Sequence, residues 1–267
     1  LFPVLDLSYI VTTYLEHMAQ SILIVKYTLP STAGAIFRKL DKKKFKIKYD
    51  DENNSDEQIE LTQEISNLKK NSFGVEGYVK YVYQKENEFK GEGHFDTTSE
   101  EFTFLFDPTS NIVILHGNPD FRVRLMKFFA HVLHDGDDLF ESISIKKEKL
   151  YDLMNKILKM KSGKNNLEEA KFYHGDKPLG NLKKLSFTTI ADFCGTEHEL
   201  FDEHYANCTH WNSVLRVYKC NGLLDTLSDS GYLLRITKDA TVSFGIDKNL
   251  TEWNRFVVET MKPVLKF

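Results

Sequence analysis

Along the stretch from residue 73 to 95 apolar and polar positions alternate. Phe73, Val75, Val79, Tyr81 and Tyr83 are separated by polar residues or glycine, and Phe89, Gly91, Gly93 and Phe95 resume the period after an expected turn near residues 85–87. A period of two marks a strand with one buried face. Further strands are predicted over 21–29, over 45–49 where Phe45, Ile47 and Tyr49 alternate with lysines, and over 102–106 and 112–115 around a Pro-Thr-Ser-Asn turn. Helical spacing appears at Ala33, Ile36, Phe37 and Leu40. It recurs at Ile59, Ile65 and Leu68, which predicts a helix over 57–70, with a solvated acidic loop over 50–56 before it. Asn118-Pro119 is a helix-start signal ahead of Phe121, Leu125, Phe128, Phe129, Val132 and Leu133.

The second part repeats this grammar. A short strand over 140–145 precedes a lysine-rich amphipathic helix over 146–161. Ser-Gly-Lys-Asn-Asn at 162–166 reads as a linker. Hairpins are expected over 167–188 and 232–246, a helix over 197–208 and a strand over 214–218. Asn249 is placed to cap a closing helix with Leu250, Trp253, Phe256, Val257 and Met261. Residues 102–133 and 232–265 thus share a strand, turn, strand, aromatic-helix order with almost no letters in common. The expectation is an α+β fold of antiparallel sheets with helices packed on one face, compatible with two pseudo-repeated sheet-plus-helix halves. The division expected is a helical extension at 1–17, a first half at 18–161 and a second at 162–267. At the level of architecture, two tandem sheet-plus-helix halves resemble the saddle of the TATA-box-binding proteins, with no motif residues carrying the likeness.

Composition narrows the class. The chain of 267 residues is 41% hydrophobic and carries 20 Phe and 12 Tyr, enough to build a core. Its three cysteines, Cys194, Cys208 and Cys220, do not suggest a disulfide framework, so a cytoplasmic protein is expected. No apolar run is long enough for a spanning helix, and no membrane partner is expected. A formal net charge of −4 gives no global attraction to nucleic acid. Local basic stretches do: Lys42, Lys43, Lys44, Lys46 and Lys48 form one, and Lys146, Lys147 and Lys149 open another. Phosphates would bind such stretches in a salt-dependent, sequence-blind way, and exposed members of Tyr78, Tyr81 and Tyr83 would add stacking surfaces.

Catalytic signatures are sparse. Neither a GxSxG nucleophile elbow nor a glycine-rich phosphate loop occurs in the sequence. Cys194 and His198, and His204 and Cys208, are spaced four apart, which puts each pair on one helix face where zinc would find nitrogen and sulfur donors. His198-Glu199 begins a zincin signature that Asp202 breaks. His131 and His134 stand before Asp135, Asp137 and Asp138, an oxygen-rich group for a divalent cation. Glu169-Ala170-Lys171 and Glu88-Phe89-Lys90 match the carboxylate-x-lysine element of magnesium-dependent nucleases, with Asp152 as an upstream acid. The reading that follows is a non-catalytic binding protein without a cofactor, associated with nucleic acid or with a protein partner or second copy. The alternative is a metal-dependent hydrolase or nuclease using zinc or magnesium at these clusters.

Overall fold

The computed structural model describes residues 20–28, 31–89, 92–117, 122–134, 139–159, 165–187, 196–217, 232–244 and 254–266. It is an α+β protein whose strands pair antiparallel. Contacts divide the chain into two compact units. One is Ile24–Glu141. The other joins residues 20–23 to the described part of Ser142–Phe267. None of the described helices is long and apolar enough to cross a membrane.

The first unit contains the second half of β1 (Gln20–Tyr27), then α1 (Ala33–Leu40), β2 (Lys44–Asp51), β3 (Asn54–Asn71), β4 (Gly74–Phe89), β5 (Glu92–Asp107), β6 (Ile112–Gly117), α2 (Arg122–His134) and β7 (Phe140–Ser142). The strands lie in the order β2-β3-β4-β5-β6-β1, with β7 paired to β1. Thr32 caps α1, its hydroxyl accepting from the Ala35 amide at 3.2 Å. At the other end Lys39 donates to the Leu133 carbonyl in the last turn of α2. In β2 every second residue is exposed, so Phe45, Ile47 and Tyr49 share one face and Lys44, Lys46 and Lys48 the other. The core joins that first face to α2. The Phe128 ring meets Phe45 and Tyr81 edge-on, and Phe129 meets Phe104 and Phe106 with centroids 4.9 and 5.1 Å apart. Such edge-to-face pairs stabilise beyond their buried area.

Residues 57–70 are not a helix. They form the middle of β3, paired to β2 on one side and β4 on the other. Leu61, Gln63 and Ile65 are buried in alternation with Thr62 and Glu64, the strand period the helix reading passed over. Pairing on both sides outweighs the local helical preference of Glu, Gln, Leu and Lys. Gln63 is fully buried: its amide nitrogen donates to the Val82 carbonyl at 2.9 Å and its oxygen accepts from the Val82 amide at 2.6 Å. The side chain thereby supplies both partners that a neighbouring backbone would. The expected loop at 50–56 shrinks to a turn at residues 52–53, where Asp51 Oδ1 accepts from the Asn53 amide. The turn expected at 85–87 also moves, since β4 continues to Phe89. Gly74 has φ +145°, and a Cβ there would stand 1.9 Å from the Phe106 carbonyl oxygen, so only glycine lets β4 begin against the end of β5.

The second unit contains α3 (Lys147–Leu158), β8 (Asn166–His174), β9 (Lys177–Phe187), α4 (Thr196–Asn207), β10 (His210–Val217), β11 (Tyr232–Ile236), β12 (Thr241–Phe244), a π-helical turn (Val257–Met261) and α5 (Lys262–Leu265). Its strands run β1-β12-β11-β10-β8-β9, with residues 20–23 of β1 on β12. Trp211, alternating inward along β10, is fully buried between Phe172 and Phe201, and its indole donates to the Lys147 carbonyl at 3.2 Å. Leu150, Leu153, Met154, Ile157 and Leu158 form the buried face of α3. The buried amide of Asn165, in the stretch read as a linker, donates to the Ile157 carbonyl and closes that helix. Lys156 donates to the Thr260 carbonyl within the π-helical turn. These strand orders show no internal repeat. Asn249, the expected cap, and residues 1–17 lie outside the described residues.

Candidate functional site

The basic residues singled out from the sequence meet different fates. Lys42 and Lys43 are exposed where α1 hands over to β2. Lys44 and Lys46 form ion pairs at 2.7 Å with Glu64 and Glu60 on β3. Hydrogen bonding to Glu64 raises the Lys44 pKa and lowers that of Glu64. Lys48 is exposed and makes no ion pair among the described residues. In the second unit Lys146 is exposed and Lys149 lies 3.6 Å from Asp152. Lys147 is engaged internally. Its ammonium donates to the carbonyls of Tyr205 and Cys208, each at 3.0 Å, and sits 5.0 Å from the centroid of the Tyr205 ring. It therefore closes the C-terminus of α4, where the carbonyl ends favour a cation.

The metal-ligand candidates are likewise separated by role. Cys194 and the side chain of His198 lie outside the described residues. The His204 ring stacks on Phe172 at 5.5 Å. Cys208 is buried just past the end of α4, where burial pushes its thiol pKa up. Among the described residues no group of three or more His, Cys, Asp or Glu side chains is placed to hold a metal ion. Glu169 and Lys171 stand together on β8 at 3.6 Å, while Asp152 is on α3. The side chain of Glu88 and all of Lys90 fall outside the described residues, as do Asp135, Asp137 and Asp138.

What the fold does bring together is a cleft of about 370 Å³ in the first unit. Its floor is Ile47 and Tyr49 of β2, Leu61 of β3, and Tyr81 and Tyr83 of β4. Its wall is α2, which lines it with Arg124, Lys127, Phe128 and His131. Those four residues follow i, i+3, i+4, i+7 and so fall on one helix face. Lys48 and Asp50 of β2, Glu52 of the β2–β3 turn and Gln84 of β4 complete the lining.

Of the tyrosines that alternation offered for stacking, Tyr78 is half-buried on β4. Tyr81 and Tyr83 are buried, and the polar interest lies in their hydroxyl groups. Tyr49 and Tyr81 share a hydrogen bond at 3.2 Å, with the Gln63 amide 3.4 Å from Tyr49 Oη. Tyr83 donates to Glu100 at 2.8 Å. Burial, then the Glu100 carboxylate, pushes the Tyr83 pKa up to about 12; burial also raises those of Tyr49 and Tyr81. At neutral pH the floor is therefore uncharged. The Arg124 guanidinium lies 5.4 Å from the Tyr83 ring centroid. Among the described residues, no Ser, Thr or Cys lines the cleft.

The chain matches no known protein family, and no curated protein resembles it significantly.

The spacing of Arg124, Lys127 and His131 was available in the sequence, but the core-forming Leu125, Phe128 and Phe129 drew the reading of that helix. Only the placement of α2 against β2 and β4 turns these cations toward a hollow.

Proposed function

We propose that the protein is a non-catalytic, cytoplasmic binding protein that associates with nucleic acid, with the cleft beneath α2 as a phosphate-binding point. One observation carries this reading: Arg124, Lys127 and His131 share a helix face that walls a hollow floored by neutral tyrosines. Two cations beside a low-dielectric floor attract a phosphate more strongly than the same charges on open surface. Lys48, which also lines the cleft, would add to that attraction, while Lys42 and Lys43, exposed outside the lining, would add a weaker, screened one. Lys44 and Lys46 contribute less, because glutamates already neutralise them. The strand, strand, helix order at β5-β6-α2 and at β11-β12 with the closing helices motivates a proposed duplication within the chain.

Fluorescence anisotropy with a short single-stranded oligonucleotide tests the reading at about 50 mM and about 200 mM salt. Arg124→Ala/Lys127→Ala should weaken binding about tenfold or more at low salt and flatten the salt dependence by roughly 1.4 in log–log slope. Failure of the unaltered protein to bind at low salt would overturn the proposal.

A further inference from the structure

We infer that the cleft accepts a nucleotide through a terminal phosphate monoester, whether free or at the end of a strand, and not an internal stretch of chain. The inference rests on the nucleic-acid reading above and names the part of the ligand the cleft would hold. Volume is the first argument. At about 370 Å³ the hollow is at the small end of ligand sites, with room for roughly one nucleotide unit. Charge is the second. A phosphate monoester carries about −1.5 to −2 near neutral pH, against −1 for a diester, and Arg124 and Lys127 supply two permanent positive charges one turn apart. A guanidinium can pair two terminal oxygens at once, a geometry that a monoester presents freely. The Tyr83 ring beneath Arg124 holds the guanidinium near its working position.

The third argument is the mixed charge of the lining. Asp50 and Glu52 line the cleft together with Lys48, Arg124 and Lys127. A second phosphate of a continuous chain would meet these carboxylates. The sugar hydroxyls of a single nucleotide can instead donate to carboxylate oxygens.

The test compares one oligonucleotide sequence with a 5′-phosphate, a 3′-phosphate or neither, together with adenosine monophosphate and inorganic phosphate as competitors. The expected result is about tenfold tighter binding of a phosphorylated end, equivalent to one added strong contact, and displacement by adenosine monophosphate. Arg124→Gln/Lys127→Gln should abolish the preference while leaving the circular dichroism unchanged and lowering the melting temperature only slightly, through the lost contact of Arg124 with the Tyr83 ring. Asp50→Asn/Glu52→Gln should narrow the difference between phosphorylated and plain ends. Equal affinity for all three oligonucleotides overturns the inference and leaves the nucleic-acid reading standing. Binding of adenosine monophosphate, lost in the double Gln variant, with no binding of any oligonucleotide, overturns the nucleic-acid reading and supports the cleft as a free-nucleotide site. No binding of any probe overturns both.

Discussion

Lys147→Met separates a structural lysine from a ligand-binding one. The native ammonium makes two hydrogen bonds at 3.0 Å, to the carbonyls of Tyr205 and Cys208, and lies over the Tyr205 ring. Charge-assisted bonds contribute about 1.5 kcal/mol each at the low end, so the pair supplies roughly 3 kcal/mol. Part of this returns on substitution. Water can solvate carbonyls at a helix end, and the methionine thioether keeps a favourable contact with the ring. The net destabilisation should be about 2 kcal/mol, or a fall of roughly 4–8 °C in Tm. The backbone carbonyl that accepts from Trp211 is untouched, so indole fluorescence remains a usable probe of urea unfolding. Lys146→Met and Lys149→Met serve as controls and should stay within about 0.5 kcal/mol of the parent. The reasoning is refuted if Lys147→Met matches the parent in stability while oligonucleotide affinity drops.

Two further outcomes follow from buried polar groups. Gln63→Leu strands both the amide and the carbonyl of Val82, which Gln63 bridges at 2.6 and 2.9 Å; a loss of about 2–4 kcal/mol in urea unfolding is expected, and a loss below about 0.5 kcal/mol would show that the strands repair themselves. The tyrosines set an alkaline limit. With folded-state pKa values pushed up to about 12, Tyr83 and Tyr205 hold their protons after the unfolded chain has begun to lose its own near pH 10. Stability is therefore fully present below about pH 10 and declines as pH rises toward 12. Tyrosinate absorbance alongside unfolding free energy measures this, and flat stability across that window would contradict it.

The misreading of β3 had consequences beyond one element. Taken as a helix, residues 57–70 could not place Glu60 and Glu64 opposite Lys46 and Lys44, so the lysines of β2 looked like an open cationic row. The evidence against a helix was in the letters: Ile59, Leu61, Gln63 and Ile65 keep strict period two. A buried glutamine hid it, because Gln63 counts as polar in any hydropathy pattern. Its burial is tolerated only because Val82 satisfies its amide, which is a fact of tertiary pairing. Local alternation did reveal β2 and the inward face of β4, whereas the strand expected over 214–218 begins four residues earlier, at His210. Lys147 was illegible for a related reason, since its carbonyl partners lie 58 and 61 residues further along the chain.

These corrections redistribute the protein's usable positive charge. β2 ends its unit's strand order, and exposed lysines on such a strand discourage pairing with another chain. Lys44 and Lys46 fit that protective role, each answered by a glutamate on β3. Two of the three lysines named around residue 147 are also accounted for within the protein, Lys147 by the end of α4 and Lys149 by Asp152. The cleft is lined by Lys48 of β2 and by Arg124 and Lys127 of α2, a helix whose other face is fixed by Leu125 and Phe129 in the core. Anchoring by those apolar residues is what makes the placement of Arg124 and Lys127 reproducible from molecule to molecule. A lysine on a solvated edge has no such constraint and must be ordered by each ligand afresh. For this reason the α2 wall, with fewer charges than the lysine row of β2, is the stronger basis for selective binding.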